Sequence, residues 1–476
     1  MKKILMISMI ATMAIFTACN KDESFDAPSV TAPAATSAEI GADIELTFNF
    51  TTDAGFKTSG VSATNGTAVV KTDGTSGSKS GTVVVTFTAG TLVGAGSVIL
   101  TVTDNENKTS SATGVISVLE EQIVFNVSGN ITQNTIWETG KVYVLGSRIT
   151  VVSGITLTIQ PGVVVKGEAG TGANATALLI ARGGKLMAEG TADAPIIFTS
   201  VADEIMPGEV ASPNLEPTLN GLWGGLLILG NAPISADAAS VQIEGIPPSD
   251  QNGLYGGTDA ADNSGTIRFI SIRHGGANIG EGNEINGLTL GGVGSGTIIE
   301  NVEVVSNQDD GIEFFGGTVA VKNAILWNIG DDAVDTDQSW GGTLDNFIVV
   351  NPGDECFELD GPEGSMVAKH IIKNGTVYAM DAAGLVDNDA NSYVDMMNVY
   401  FRDLMDGQKF DQVPVDYTCS FQNLQATLPA GFALGDFFKD GSDAFVTAVT
   451  EGNNTVGADL TKFATWSWAH AALTAK

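Results

Sequence analysis

The sequence of 476 residues holds only three cysteines and three histidines, and its 22 lysines and arginines face 55 aspartates and glutamates. Each scarcity excludes something. With no Cys-x-x-Cys spacing, a zinc or dithiol redox site has little support. A formal net charge of −33 repels phosphate, so nucleic acid and anionic lipid headgroups are excluded as partners, while cations and neutral ligands remain. No Gly-rich loop ends in Lys-Ser/Thr, which removes the usual phosphate cradle. Past the first twenty residues no apolar run is long enough to cross a bilayer as a helix. What remains is a chain that is 43% hydrophobic, only 16% charged and punctuated by 58 glycines, a composition that folds.

At the N-terminus, Lys2 and Lys3 precede an apolar run from Ile4 to Phe16, and Thr17-Ala18-Cys19 follows. This is the layout of a secretory signal, with a run too short to span a bilayer stably. The segment resembles the lipobox of bacterial lipoproteins. That resemblance implies a signal peptide over 1–18, lipidation of Cys19 and a lipid as the anchor to the outer membrane; ordinary cleavage near Ala18 is the competing reading. Asn20-Lys21-Asp22-Glu23 resembles the signal that sends some Gram-negative lipoproteins to the outer face of that membrane, which implies exposure on the cell surface. A plain solvated tether over 19–28 reads the same way. With Cys19 lipidated, Cys356 and Cys419 are left as one candidate disulfide in an oxidising compartment.

Residues 29–118 are rich in Thr, Val, Ser and Gly. Their short runs of alternating polarity, such as Ile44-Glu45-Leu46-Thr47-Phe48-Asn49-Phe50 and Thr82-Val83-Val84-Val85-Thr86-Phe87, predict a small β-sandwich. It resembles the immunoglobulin-like modules of bacterial surface proteins, which implies a spacer.

From about residue 121 the chain repeats itself. Asn301, Asn323 and Asn346 stand 22 and 23 residues apart, each inside a β-branched run. Asp310-Gly311-Ile312-Glu313-Phe314, Asp332-Ala333-Val334-Asp335-Thr336 and Glu355-Cys356-Phe357-Glu358-Leu359 keep the same steps, and Asn286-Gly287-Leu288-Thr289-Leu290 fits one coil earlier. A period this short, with strands only and no Leu consensus, predicts an all-β fold: a parallel β-helix over 121–425. Coils stack at about 4.8 Å, so equivalent residues form columns, and the three Asn predict a ladder of amides bonded rung to rung.

Phrases upstream, among them Ile155-Thr156-Leu157-Thr158-Ile159-Gln160-Pro161-Gly162 and Gly221-Leu222-Trp223-Gly224-Gly225-Leu226, resemble the right-handed β-helix proteins of the pectate-lyase-like group. The resemblance covers roughly 123–425 and implies fold, since the group includes lyases, hydrolases, adhesins and passive surface proteins. Two excursions, 201–220 and 236–265, are expected to project and wall a groove. Residues 426–476 lose the period and are expected to cap the open end, with a short helix near Leu460–His470.

One constellation carries chemistry. Asp309-Asp310, Asp331-Asp332 and Asp354-Glu355 precede strands in which Ile312, Val334 and Phe357 alternate with Glu313, Asp335 and Glu358. With the apolar set inward, nine acids fall into two adjacent outward columns on three coils. Like charges about 4.8 Å apart repel by about 3.5 kcal/mol at an effective dielectric of 20. Solvation, protonation or a bound cation must relieve this, and carboxylate oxygens favour Ca²⁺. Asp309, Asp310, Asp331, Asp332, Asp354 and Glu355 are therefore the candidate Ca²⁺ ligands. Glu313, Asp335, Glu358 and, by ring stacking, Trp340 are the candidate contacts to an extracellular polysaccharide or surface protein.

Asp310-Gly311 followed by Gly330-Asp331-Asp332 is also similar to the acidic pattern of polygalacturonases, which implies Asp310, Asp331 and Asp332 as catalytic carboxylates of a hydrolase. The chain departs from that family where Pro352-Gly353-Asp354 replaces its Gly-His-Gly and where its basic motif is missing. The lyase route needs an Arg base, and none lies in these coils. His274, before two glycines, reads as a turn residue or a groove contact. Trp340, Phe315 and Trp223 read as packing or as sugar platforms.

Overall fold

A computed structural model describes residues 24–170, 172–277 and 284–475. The signal segment, Cys19 and the first part of the expected tether lie outside the described residues. Among the described residues no helix is long and apolar enough to cross a membrane. The chain divides into two units, Met1–Gln122 and Ile123–Lys476.

The alternation read from the first unit becomes a two-sheet sandwich. One sheet orders Ser29–Thr31, Asp43–Thr51, Ser80–Ala89 and Gly66–Thr72, all antiparallel; the other orders Thr36–Glu39, Thr109–Leu119, Gly94–Asp104 and Phe56–Thr64. From Leu46 on, every second side chain of Asp43–Thr51 is buried, and Leu46, Phe48 and Phe50 meet Val83, Val85, Phe87, Val98 and Leu100 between the sheets. Period-2 patterning suffices here because each sheet has one wet face.

In the second unit the repeat becomes parallel stacking. Leu226–Leu229, Leu288–Gly291, Ile312–Phe315, Val334–Asp337, Glu358–Leu359 and Asp387–Asn388 lie rung on rung in an eight-stranded sheet. The longer strands Gly265–Arg273, Ile298–Val305, Ala320–Trp327, Thr343–Val350, His370–Tyr378 and Val394–Arg402 form the middle of a sixteen-stranded sheet. Rungs continue past residue 425, to Val446–Ala448. Columns of apolar side chains, such as Ile312, Val334 and Phe357, fill the interior of the coil.

The asparagines bend each long strand. Asn301, Asn323, Asn346, Asn374, Asn398 and Asn423 all hold a left-handed φ between 53° and 61°, a region Asn tolerates better than any other side-chain-bearing residue, and Phe269 (φ 49°) heads the same column. Their amides bond as expected: Asn323 Nδ2 to Asn301 Oδ1 at 2.9 Å, Asn346 to Asn323 at 2.7 Å, Asn398 to Asn374 at 2.9 Å and Asn423 to Asn398 at 3.2 Å. The column next to it alternates in sign through Glu189, Arg268, Glu300, Lys322, Asp345 and Lys373. Opposite charges across neighbouring rungs stabilise a sheet, so this face balances its own charge.

Three expectations need correction. Cys356 and Cys419 are both free: the buried Cys356 thiol faces the Gly384 carbonyl, and Cys419 meets the Ser392 carbonyl and the Val394 amide on the other sheet. Residues 426–476 split in function. Phe437 and Phe438 close the end of the core, while Leu460–Phe463 and Trp468–Thr474 turn back along the flank and bury Phe463, Trp466 and Ala469 against Ile325, Ile348 and Val350. That flank has outward apolar residues to cover, which the sequence period does not distinguish from inward ones. Of the two excursions, 201–220 also lies on this side, its Leu219 and Pro217 carbonyls bonding His274 and Ser306; only 236–265 walls the acidic face.

Candidate functional site

The acidic residues come together because strand register and backbone approach leave them no alternative. Glu313, Asp335 and Glu358 pair directly across Ile312–Phe315, Val334–Asp337 and Glu358–Leu359. Gly311 has no room for a side chain, since a Cβ there would fall 2.6 Å from the Ala333 carbonyl oxygen, and this close approach sets Asp310 against the next rung. Asp310 Oδ1 accepts from the Asp332 amide at 3.1 Å, and Asp332 Oδ1 accepts from the Glu355 amide at 2.6 Å. The turn acids therefore climb the coil as hooks, each holding the rung above.

The columns point outward from the coil but do not face open water. The 236–265 excursion packs Ile243, Ile246 and Tyr255 on Leu227, Leu229 and Phe315. Over the columns this excursion supplies Glu244, and Glu284 approaches from beyond it. Asp309, Asp310, Glu313, Asp332 and Asp335 are buried, and Asp331, Glu358, Glu244 and Glu284 are half-buried. These nine carboxylates line one cavity of about 190 Å³, with no Lys, Arg or His among the described lining residues. The contrast with the alternating column beside the asparagines is informative: this chain balances charge on one face and concentrates one sign on another.

Several carboxyl groups are in direct hydrogen-bonding contact: Glu244 with Glu313, Glu313 with Asp335, Asp332 with Glu358, and Asp309 with Glu284. Two carboxylates hold such a contact only with a proton or a cation between them. Burial pushes Asp309 up to about 8, with Glu284 and Glu244 adding repulsion, and Asp332 up to about 10, helped by the bond it shares with Glu358. Burial followed by the charge of Asp335 drives Asp310 and Glu313 well above the carboxylate range; burial and Asp337 do the same to Asp335. Asp335 also leaves its buried Oδ1 without a hydrogen-bond partner. Oxygens of Asp309, Asp310 and Asp331, and of Asp310, Glu313 and Asp335, lie within 4.8 Å of one another, so two sets here could hold a divalent cation.

Of the acids read from the sequence, Asp309, Asp310, Asp331, Asp332, Glu313, Asp335 and Glu358 meet in this cavity. Asp354 and Glu355 do not. Asp354 is exposed, and Glu355 opens into a neighbouring cavity of about 180 Å³ with Asp387, Asp411 and Lys409. Glu244 and Glu284 escaped the sequence reading because they stand outside the repeat. Trp340 is not a ligand platform: it is fully buried, stacks on Phe314 at 3.8 Å and His370 at 5.3 Å, and donates its indole N–H to the Val319 carbonyl at 2.9 Å. Trp223 is likewise buried and bonded to the Arg273 carbonyl at 2.7 Å. A side chain beside a Gly-Gly turn packs beneath that turn when, as with Trp340, it points into the coil. His274 is buried with its Nδ1 2.6 Å from the Leu219 carbonyl, and burial lowers His370 to about 3, so it stays neutral.

Comparison with other proteins agrees with the architecture. The exopolygalacturonase of family 28 from Yersinia enterocolitica is similar at 12% identity over 89% of this chain and 90% of that one, with a TM-score of 0.27, a likeness too low to bear on the site. No curated protein matches. Residues 129–402 match the family described as "Pectate-lyase like beta helix domain". With more than half of its length inside that match, the chain belongs to the pectate-lyase-like β-helix family.

Proposed function

We propose that this is a carbohydrate-active protein that takes an extracellular polysaccharide at the acidic cavity and holds Ca²⁺ there when the carboxylates are ionised. One observation carries the reading: nine carboxylates surround a single small cavity without a cationic side chain among the described lining residues. Hard oxygen donors and no nitrogen or sulfur ligand favour Ca²⁺ over transition metals. A bound cation inverts the local field and gives sugar hydroxyls or carboxylates a partner that the acids alone deny them. For hydrolysis the residues divide by environment. Asp332 keeps its proton at neutral pH and suits the general acid, while the half-buried Asp331 suits the base. Binding of a glycan or a surface partner without turnover is the second reading, favoured by the missing His and Arg.

The test is product release from a panel of plant and algal polysaccharides, with Ca²⁺ and with chelator. We expect turnover that falls by about 100-fold or more in Asp331→Asn and Asp332→Asn, the usual scale for losing a general acid or base. Ca²⁺-dependent retention on a polysaccharide column without product selects the binding reading. Neither turnover nor retention in either condition defeats both.

We also propose that Cys19 anchors the protein by a lipid to the outer membrane, facing outward; the support is the charged, apolar and small-residue order of residues 2–19. The full chain is expected in the membrane fraction and open to protease on intact cells. Cys19→Ala should move it to the soluble fraction, and its continued sedimentation with membranes would refute the anchor.

A further inference from the structure

A second groove runs along the asparagine column, where the terminal segment crosses it, and shares no residue with the acidic cavity. Its larger part, about 540 Å³, is lined by Phe269, Asn301, Asn323 and Lys322 from the coils and by Lys462 and Trp466 from the terminal segment. An adjoining space of about 270 Å³ shares Lys322, Asn323 and Lys462 and extends past Asn346 to Asn374.

The charge here is unlike the rest of the molecule. The acids lining the groove are already engaged: Glu300 pairs with Arg268 at 3.3 Å, and Asp459 accepts from the Thr461 amide and hydroxyl at 3.1 and 2.6 Å. Lys322 sits between Glu300 and Asp345 in its column, but Asp345 is held by Lys373 at 3.5 Å and by Asn374 at 2.7 Å. Among the described residues Lys322 forms no ion pair, and Lys462 has only Asp459 at 4.0 Å. Two exposed ammonium groups thus flank a groove on a chain of net charge −33.

The floor suits a sugar chain. The ladder takes the oxygen of Asn301 and the oxygen and one N–H of Asn323, and Asp459 engages the oxygen and an N–H of Asn346, so the amide hydrogens left to the groove are those of Asn301 and the second of Asn323. Rungs repeat at about 4.8 Å, a spacing close to that of successive pyranose units in a linear chain. At the head of the column stands the half-buried Phe269 ring, set edge-on to Trp466 at 5.8 Å. An aromatic face with amide edges beyond it is a usual arrangement for holding pyranose rings.

We propose that this groove binds a linear acidic oligosaccharide, with Lys322 and Lys462 meeting its carboxylates and the amides of Asn301 and Asn323 its hydroxyls. It would act as a holding site for the polymer apart from the acidic cavity. Calorimetric titration of the full chain with an oligogalacturonate, in chelator so that the cavity holds no Ca²⁺, tests it. Binding is expected to weaken about tenfold in the Lys322→Ala/Lys462→Ala double variant, the scale of two exposed ion pairs, and to weaken with added salt. It should be unchanged in Lys79→Ala, an exposed lysine of the N-terminal unit. Absence of binding, binding indifferent to the two lysines, or equal affinity for a neutral cello-oligosaccharide would each overturn the proposal. Because chelator silences the cavity, any of these failures leaves the cavity reading standing.

Discussion

Stripped of divalent cations, the protein is expected to lose stability steadily as pH rises from about 4 through neutrality, and added Ca²⁺ is expected to restore it. The sign follows from proton counting. In an unfolded chain these carboxyls ionise near pH 4. In the folded chain burial raises Asp337 and Asp360 to about 7, Asp309 to about 8 and Asp332 to about 10. Between those limits the folded state binds more protons than the unfolded one, so raising pH favours unfolding. The contribution is fully present below about pH 4 and disappears as pH passes the folded values. A shift of one unit on one group corresponds to about 1.4 kcal/mol, and with several groups coupled the loss should be readily seen in thermal melts.

Ca²⁺ replaces the protons. At a hundredfold excess over its dissociation constant it adds about 2.7 kcal/mol, a rise of several degrees in Tm. Asp332→Asn keeps the acceptor for the Glu355 amide while removing one titrating group, so it should flatten the pH slope without unfolding the chain. Melts in chelator that are level from about pH 5 to 8 and unmoved by Ca²⁺ would show that neither protons nor metal hold the cluster.

Glu303→Ala is expected to destabilise the β-helix by about 3–5 kcal/mol and to free the terminal segment for proteolysis. Glu303 is fully buried in the sixteen-stranded sheet. Its Oε1 accepts from Ser467 Oγ at 2.7 Å and the Ala469 amide at 2.9 Å, at the start of Trp468–Thr474. Its Oε2 accepts from Ser271 Oγ and pairs with Arg273 at 3.4 Å. Arg273 is fully buried too, lies 5.0 Å from the Trp468 ring and has no other carboxylate within 4 Å among the described residues. Truncating Glu303 strands that guanidinium and unpins the first turn of the segment at once. Limited proteolysis followed by intact-mass analysis should show early cleavage after about residue 450. A variant with an unchanged melt and an unchanged digest would mean that the packing of Phe463 and Trp466 and the Asp459–Asn346 hydrogen bonds hold the segment without Glu303.

How far the sequence alone reached can be judged from particular residues. The Asn301, Asn323, Asn346 spacing disclosed both the coil period and the ladder, because a solenoid repeats its backbone and each coil must solve the same corner. The structure carries the column on to Asn374, Asn398 and Asn423, which a constant spacing does not reach because those coils are longer. The pairing of Glu313, Asp335 and Glu358 was legible for the same reason. Their environment was not. Period-2 alternation tells outward from inward, and an outward residue is exposed only if nothing lies over it. Glu244, which lies over these, belongs to an excursion with no repeat to follow. For Trp340 the sequence left packing and a ligand platform both open, since proximity to a Gly-Gly turn says nothing of which way an indole points.

The sequence by itself determined the coil, the register of its columns and the face on which acids accumulate. All of these are periodic or compositional properties, and stacking at a constant rise converts them directly into neighbours. Tertiary structure alone decided whether those acids are wet. Packing of Ile243, Ile246 and Tyr255 onto the outside of the coil closes the columns into a cavity, and it is desolvation there that turns a row of surface charges into a site requiring a proton or a cation. The terminal segment likewise makes a groove only by folding back across more than a hundred residues of chain, from Asp459 to Asn346, a contact no local pattern announces.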